Sequence, residues 1–229
     1  MASTRRLAAI LAADVAGYSR LMGVDEEGTL AALKAIRREL GDPKVKEHRG
    51  RIVKTTGDGL LIEFASVVDA VRCAVELQQA MAERNAHVPE ARRIEFRMGI
   101  NLGDIIRDGR DIYSDGVNIA ARLEALAEPG KVCISGTVRD HIGDRLPYAF
   151  EDMGEQSVKN IVRPIRVYAL HLEGTAGSPT ASASSVTSSS PPVAPRLSIV
   201  VLPFANLSND PEQQYFADGI TEDVTTDLS

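Results

Sequence analysis

The sequence predicts an α+β domain with a ferredoxin-like βαββαβ core, C-terminal helix and strand additions, and then a disordered linker. Three observations carry this reading. Apolar runs of strand length alternate with segments of helical spacing, in the order strand, helix, strand, strand, helix, strand. Thr56-Gly57-Asp58-Gly59 lies between two β-branched or aliphatic runs, the chemistry of a tight hairpin turn. Gly174–Pro195 is dominated by Ser, Ala, Thr, Pro and Gly and carries no charge, so it cannot bury enough surface to fold.

Each element follows from local chemistry. Leu7–Ala13 is an apolar run ending at Asp14, read as a buried strand, and Val15–Ser19 turns away from it. Asp25-Glu-Glu-Gly-Thr29 opens a helix, with acids in the first turn where the helix dipole favours them. Leu30, Leu33, Ile36 and Leu40 keep helical spacing, and Gly41-Asp42-Pro43 is expected to end it. Lys44–Gly50 then reads as a short connection into the Arg51–Phe64 hairpin. Ser66 caps a second helix whose apolar face is Val67, Ala70, Val71, Ala74, Val75, Leu77 and Met81. Arg93–Leu102 alternates as a strand. An acidic, glycine-containing loop is expected over Arg107–Tyr113.

Beyond it, Asp115–Leu126 reads as a helix, Lys131–Ser135 as a strand and Ser135–Ile142 as a short helix. Met153–Val158 and Ile165–Leu172 read as a closing hairpin. The expected organisation is one domain over 1–172, a flexible linker over 173–196, and the start of a second domain over 197–229. That last stretch holds one strongly apolar strand and part of a helix, which reads as the front of a longer protein.

Composition narrows the function classes. The chain has 229 residues, of which 44% are hydrophobic and 25% charged, an ordinary balance for a folded domain. A formal net charge of -6 argues against a broad nucleic-acid surface. Cys73 and Cys133 fall in a helix and a strand, as buried thiols of a reducing compartment do. The four histidines show no zinc spacing. No apolar run approaches membrane-spanning length, so a cytoplasmic location is expected.

The chemistry gathers at the hairpin. Asp58 stands at its tip between glycines, and Asp14 ends the first strand. Two carboxylates at one sheet edge can hold divalent cations, which in turn hold a triphosphate. Asn118 and Arg122 are four apart on one helix and share a face.

Five stretches in register strengthen this. Ala12-Ala-Asp-Val-Ala-Gly-Tyr-Ser19 resembles the first metal-site signature of class III adenylate/guanylate cyclase catalytic domains, with Tyr18 where phenylalanine is frequent. Lys54-Thr-Thr-Gly-Asp-Gly59 resembles the second. Phe96–Gly103 and Asp111–Glu124 resemble the third and fourth. Ser157-Val-Lys-Asn160 through Arg166-Val-Tyr-Ala169 resembles the closing hairpin. Residues 198–229 resemble the segment that follows this domain in bacterial cyclases carrying tetratricopeptide repeats.

The resemblance implies a palm-like fold and conversion of ATP to 3′,5′-cyclic AMP and pyrophosphate. It implies two Mg²⁺ or Mn²⁺ ions per site on Asp14 and Asp58. It implies base reading by Lys54 and Asp111, and phosphate contacts from Arg97 and Lys159. Asn118 would orient the ribose and Arg122 would stabilise transition-state charge. Asp104 lies off the motif. Because these groups come from opposite chains in the family, the implied partner is a second copy, in a homodimer with composite sites. Lysine only donates and a carboxylate only accepts, which fits the acceptor N1 and donor N6 of adenine. Two other outcomes stay open: guanylate cyclase, and a nucleotide-binding regulatory module without turnover.

Overall fold

The computed structural model describes residues 4–108, 111–157 and 164–171. The expected linker and second segment lie outside the described residues, as does Lys159.

One sheet organises the domain. Strands β1 (Thr4–Val15), β2 (Arg51–Thr56), β3 (Gly59–Phe64) and β4 (Phe96–Asp108) lie in the order β2-β3-β1-β4, all antiparallel. That is the strand order of the ferredoxin-like core. The sheet continues past β4 through β6 (Val132–Ser135), β8 (Ile165–Leu170) and β7 (Phe150–Gln156), with β4 and β6 parallel. β1 is a continuous apolar run because both its faces are covered. Ala9, Leu11, Ala13 and Val15 join one core cluster, and Ala8, Ile10 and Ala12 join another on the opposite face.

The first face is covered by α2 (Glu26–Ile36) and α4 (Val67–Asn85), which bury Leu33, Ile36, Val71, Ala74 and Met81 in that cluster. The Ser66 hydroxyl accepts from the Asp69 N–H at the start of α4, a cap worth about 1 kcal/mol. Gln78 is the buried polar residue on α4. Its amide donates to the Phe96 and Lys131 carbonyls, tying β4 to the segment leading into β6.

Three expectations are corrected. Gly41-Asp42-Pro43 does not end the helical region. A π-helical turn spans Arg37–Gly41, and α3 follows over Asp42–Glu47 with the proline in its first turn. The first turn is the helix position that tolerates a proline best. The Asp42 N–H reaches back to the Arg37 carbonyl and closes the wider turn. Second, the expected turn is confined to Ala16-Gly17, and Tyr18 and Ser19 already belong to a short helix, α1 (Tyr18–Val24), which buries Leu21. Third, the expected loop is largely a ladder. β4 runs on to Asp108 and pairs with β5 (Asp111–Tyr113). Ile105 and Ile112 are 0% and 5% exposed and pack into the cluster with Ala8 and Ile10, so the segment is drawn into the sheet.

The helix α5 (Asp115–Leu126) has the expected bounds and is capped by Ser114, whose hydroxyl accepts from the Val117 N–H. It covers the face opposite α2 and α4. α6 (Gly136–Ile142) follows β6. Cys73 and Cys133 are buried and unpaired, and burial pushes their thiols up to about 12 and about 11, which makes them inert packing groups. No helix among the described residues is long and apolar enough to cross a membrane.

Candidate active site

Antiparallel register places Asp14 opposite Arg97, and the Arg97 Nη2 donates to Asp14 Oδ2 at 3.1 Å. The β2–β3 hairpin brings its turn to the same end of β1, with Leu60 paired to Ala13. Gly57 takes φ +60° in that turn, a left-handed conformation in which a side chain would be strained. Asp58 follows it and faces Asp14. Its pKa is raised, first by partial burial and then by the hydrogen bond to Asp14 and the negative charge there, while a backbone hydrogen bond and Arg97 pull the other way. Two carboxylates that repel in this manner form a place for positive charge.

A third carboxylate lies against the same guanidinium. Glu124 Oε1 lies 3.2 Å from the same Arg97 Nη2, with its side chain 13% exposed. The contact is close but poorly aligned: Glu124 Oε1 and Arg97 Nε are both buried without a hydrogen-bond partner. Burial pushes the Glu124 carboxyl up to about 7, against the pull of Arg97, and the charges of Asp14 and Asp58 add to the rise.

Glu124 carries a consequence for stability. Its folded pKa lies above its unfolded value, so the folded chain keeps a proton that the unfolded chain has released. Stability therefore falls as pH rises from about 4.5 to about 7, and the loss is complete above that window. Glu124→Gln removes this loss. In metal-free protein, we expect wild type to lose on the order of 3 kcal/mol more than the variant between pH 5 and 8, read from denaturant melts at both values. Parallel pH dependences would contradict the assignment.

Sequence reasoning passed over Glu124, although its signal was present. Gly116, Ala120 and Leu123 form the buried stripe of α5, and Glu124 is four residues past Ala120 on that stripe. A carboxylate there must meet the sheet. The approach is close because β4 has glycine at position 99. A Cβ on Gly99 would stand 2.2 Å from the Glu124 amide nitrogen and 2.3 Å from the Ala120 carbonyl oxygen. Further along, the Asn101 side chain, 3% exposed, donates to the Gly116 carbonyl at 3.2 Å.

The other predicted residues fall into two groups. Lys54 is exposed on β2, just after a bulge that shifts the register between Ile52 and Lys54. β5, which begins at Asp111, approaches β2, and Val53 packs on the same cluster as Ile112. Lys54 and Asp111 thus sit on strands that approach one another without pairing, with the Asp111 side chain outside what is described. Asn118 and Arg122 are exposed on α5, away from its buried stripe. Among the described residues, neither side chain makes a hydrogen bond or ion pair, and nothing joins them to Asp14, Asp58 or Arg97.

The donor set suits a hard divalent cation. Among the described residues, no three His, Cys, Asp or Glu side chains are grouped to enclose a metal. An all-oxygen pair is the arrangement by which Mg²⁺ is commonly held, the remaining oxygens coming from substrate phosphates and water. Arg97 Nε beside this pair is buried without an acceptor.

Residues 2–172 match the family model described as the adenylate and guanylate cyclase catalytic domain. The chain is 51% identical over 226 residues to a putative adenylate cyclase 3 of Rhizobium meliloti, covering 98% of this chain and 38% of that relative. It therefore spans well under half the length of that protein. Among solved structures it is similar to an adenylate/guanylate cyclase/hydrolase from Silicibacter pomeroyi, with 52% identity and a TM-score of 0.70, covering 73% of this chain and 98% of that one. A guanylyl cyclase, Cya2, aligns with 26% identity and a TM-score of 0.64, over 74% of this chain and 94% of its own.

Proposed function

Because this chain belongs to the adenylate and guanylate cyclase catalytic domain family, we propose that it converts ATP to 3′,5′-cyclic AMP and pyrophosphate. The observation that carries the reading is the meeting of Asp14, Asp58 and Arg97 at one end of the sheet.

The reaction joins the ribose 3′ oxygen to the α-phosphorus, breaks the bond from that phosphorus to the β-phosphate oxygen, and releases the hydroxyl proton. Such a step needs positioning and charge rather than a protein nucleophile. Asp14 and Asp58 would hold Mg²⁺ or Mn²⁺, two per site, which supply positive charge at the ribose hydroxyl and the triphosphate. Arg97 lies beside that pair and would contact phosphate, with Lys159 as a second cation. Lys54 and Asp111 would read the adenine edge. Asn118 would orient the ribose, and Arg122 would stabilise charge that develops in the transition state.

The active form we propose is a homodimer with two composite sites. Its support is that Asn118 and Arg122 are exposed and unengaged on α5, while the carboxylates gather elsewhere. Asp58→Ala and Arg122→Ala should then each be inactive alone. Mixed together, they should recover activity, because one kind of heterodimer site keeps both native residues. Absence of recovery, with heterodimers shown to form, would count against a shared site.

The direct test is the purified chain with ATP and Mn²⁺, followed by cyclic AMP and pyrophosphate release. Nucleotide binding without product would make this a regulatory module. Equal use of GTP would make it a less selective cyclase. Unpaired buried thiols and an ATP substrate support a cytoplasmic location. The likeness of residues 198–229 to the segment before the repeats of bacterial cyclases supports a tetratricopeptide-repeat region accompanying the domain, which the full gene sequence would check.

A further inference from the structure

We infer that Glu124 is a positioning residue that draws the Arg97 guanidinium off Asp14, so that Asp14 stays open to a divalent cation. The inference rests on the cyclase reading only for what the cation is for.

Arg97 Nη2 stands between two carboxylates: it donates to Asp14 Oδ2 at 3.1 Å and lies 3.2 Å from Glu124 Oε1, an ion pair not aligned for a hydrogen bond. Arg97 and Asp14 are direct cross-strand partners, a geometry that favours their pairing without help. A guanidinium can grip one carboxylate with two parallel bonds, which would occupy both oxygens of Asp14. A cation would then have to displace it. Glu124 opposes this closure from the other side.

Its position is set by backbone rather than by a flexible stem. α5 lies directly on β4 at Gly99, with no room for a side chain between them, and Asn101 ties the start of the helix to the same strand. Glu124 therefore holds its carboxylate two residues along β4 from the contact that anchors it. Sharing also explains why neither ion pair is ideal. Arg97 Nε and Glu124 Oε1 both remain without aligned partners, as expected of a guanidinium held between two claims.

The test is a double-mutant cycle read by Mn²⁺ binding to the 229-residue chain at about pH 8, from the electron paramagnetic resonance signal of the free ion. Glu124→Ala should weaken Mn²⁺ binding about 10-fold, the lower end of what loss of a supporting partner costs a metal site. Glu124→Gln keeps the volume and an acceptor but not the charge, and should lie between. In the Arg97→Ala background no guanidinium can close on Asp14, so the further change Glu124→Ala should alter affinity less than about 2-fold.

An equal loss in both backgrounds would make Glu124 a general source of negative charge or of packing, and would overturn the inference. So would unchanged affinity in Glu124→Ala, or a wild type that binds no Mn²⁺. Cyclic AMP production is scored separately. A wild type that shows the expected coupling but makes no product defeats the cyclase reading and leaves this inference standing. An active wild type with a neutral Glu124→Ala does the reverse.

Discussion

Replacing Asp58 by alanine should lower the cyclisation rate by about 10³-fold or more while leaving the fold intact. The magnitude follows from what is removed. Loss of a single neutral donor to developing charge already costs about 10²–10³ in rate, and Asp58 is half of the pair that would hold both ions. The fold should survive because Asp58 stands in a turn whose strained position belongs to Gly57. Its pKa is raised by partial burial and by Asp14, so at neutral pH the native chain gains nothing from its charge. Metal-free Asp58→Ala should therefore melt at or slightly above the wild-type temperature. Asp14→Ala should be as inactive, and it also leaves Arg97 to Glu124 alone. The measurements are kcat with Mg²⁺ and with Mn²⁺, beside a thermal melt. Turnover near the wild-type rate in Asp58→Ala would end the two-metal assignment.

Nucleotide choice should be equally sharp. Lys54 can only donate and Asp111 can only accept, which suits adenine and opposes guanine at both edge positions. A desolvated site built on such bonds rejects a mismatched base by about 10⁴, because its polar groups are left unpaired. An open pocket between two chains would soften this to roughly 10². Lys54→Glu together with Asp111→Ser should shift the preference toward GTP, with a large loss of rate. The readout is kcat/KM for both nucleotides in wild type and double mutant. A wild type that uses GTP as readily as ATP would show that these residues do not read the base, although the chain would still be a cyclase.

Both expectations began in short stretches of sequence, and the reason lies in the range of the forces involved. The hairpin around Asp58 was legible because its turn chemistry lies within four residues. Asp115–Leu126 was legible as a helix from local chemistry alone, and the structure adds the Ser114 cap at its start. Element order then gave the strand order, since few topologies connect strands of these types by such short links. With the order known, Asp14 and Asp58 had to come to one end of the sheet.

Other features depend on partners far apart in the chain. The π-helical turn and α3 were missed because Pro43 looks the same whether it ends a helix or begins one, and packing of Val45 in the core decides between them. The β4–β5 ladder was read as a loop because charges at 107–111 mask the inward-facing Ile105 and Ile112, which are buried by residues of β1 and α5 distant in the chain. Glu124 was passed over for the same reason. On its own helix it is one acid among several, and it becomes part of the site only where Gly99 lets α5 touch the strand that carries Arg97. The sequence by itself determined the hairpin at Asp58 and the helix that carries Asn118 and Arg122, because turns, caps and periodicity act between neighbours. Only the tertiary structure decided which side chains share a charge, because that depends on backbones meeting across the sheet.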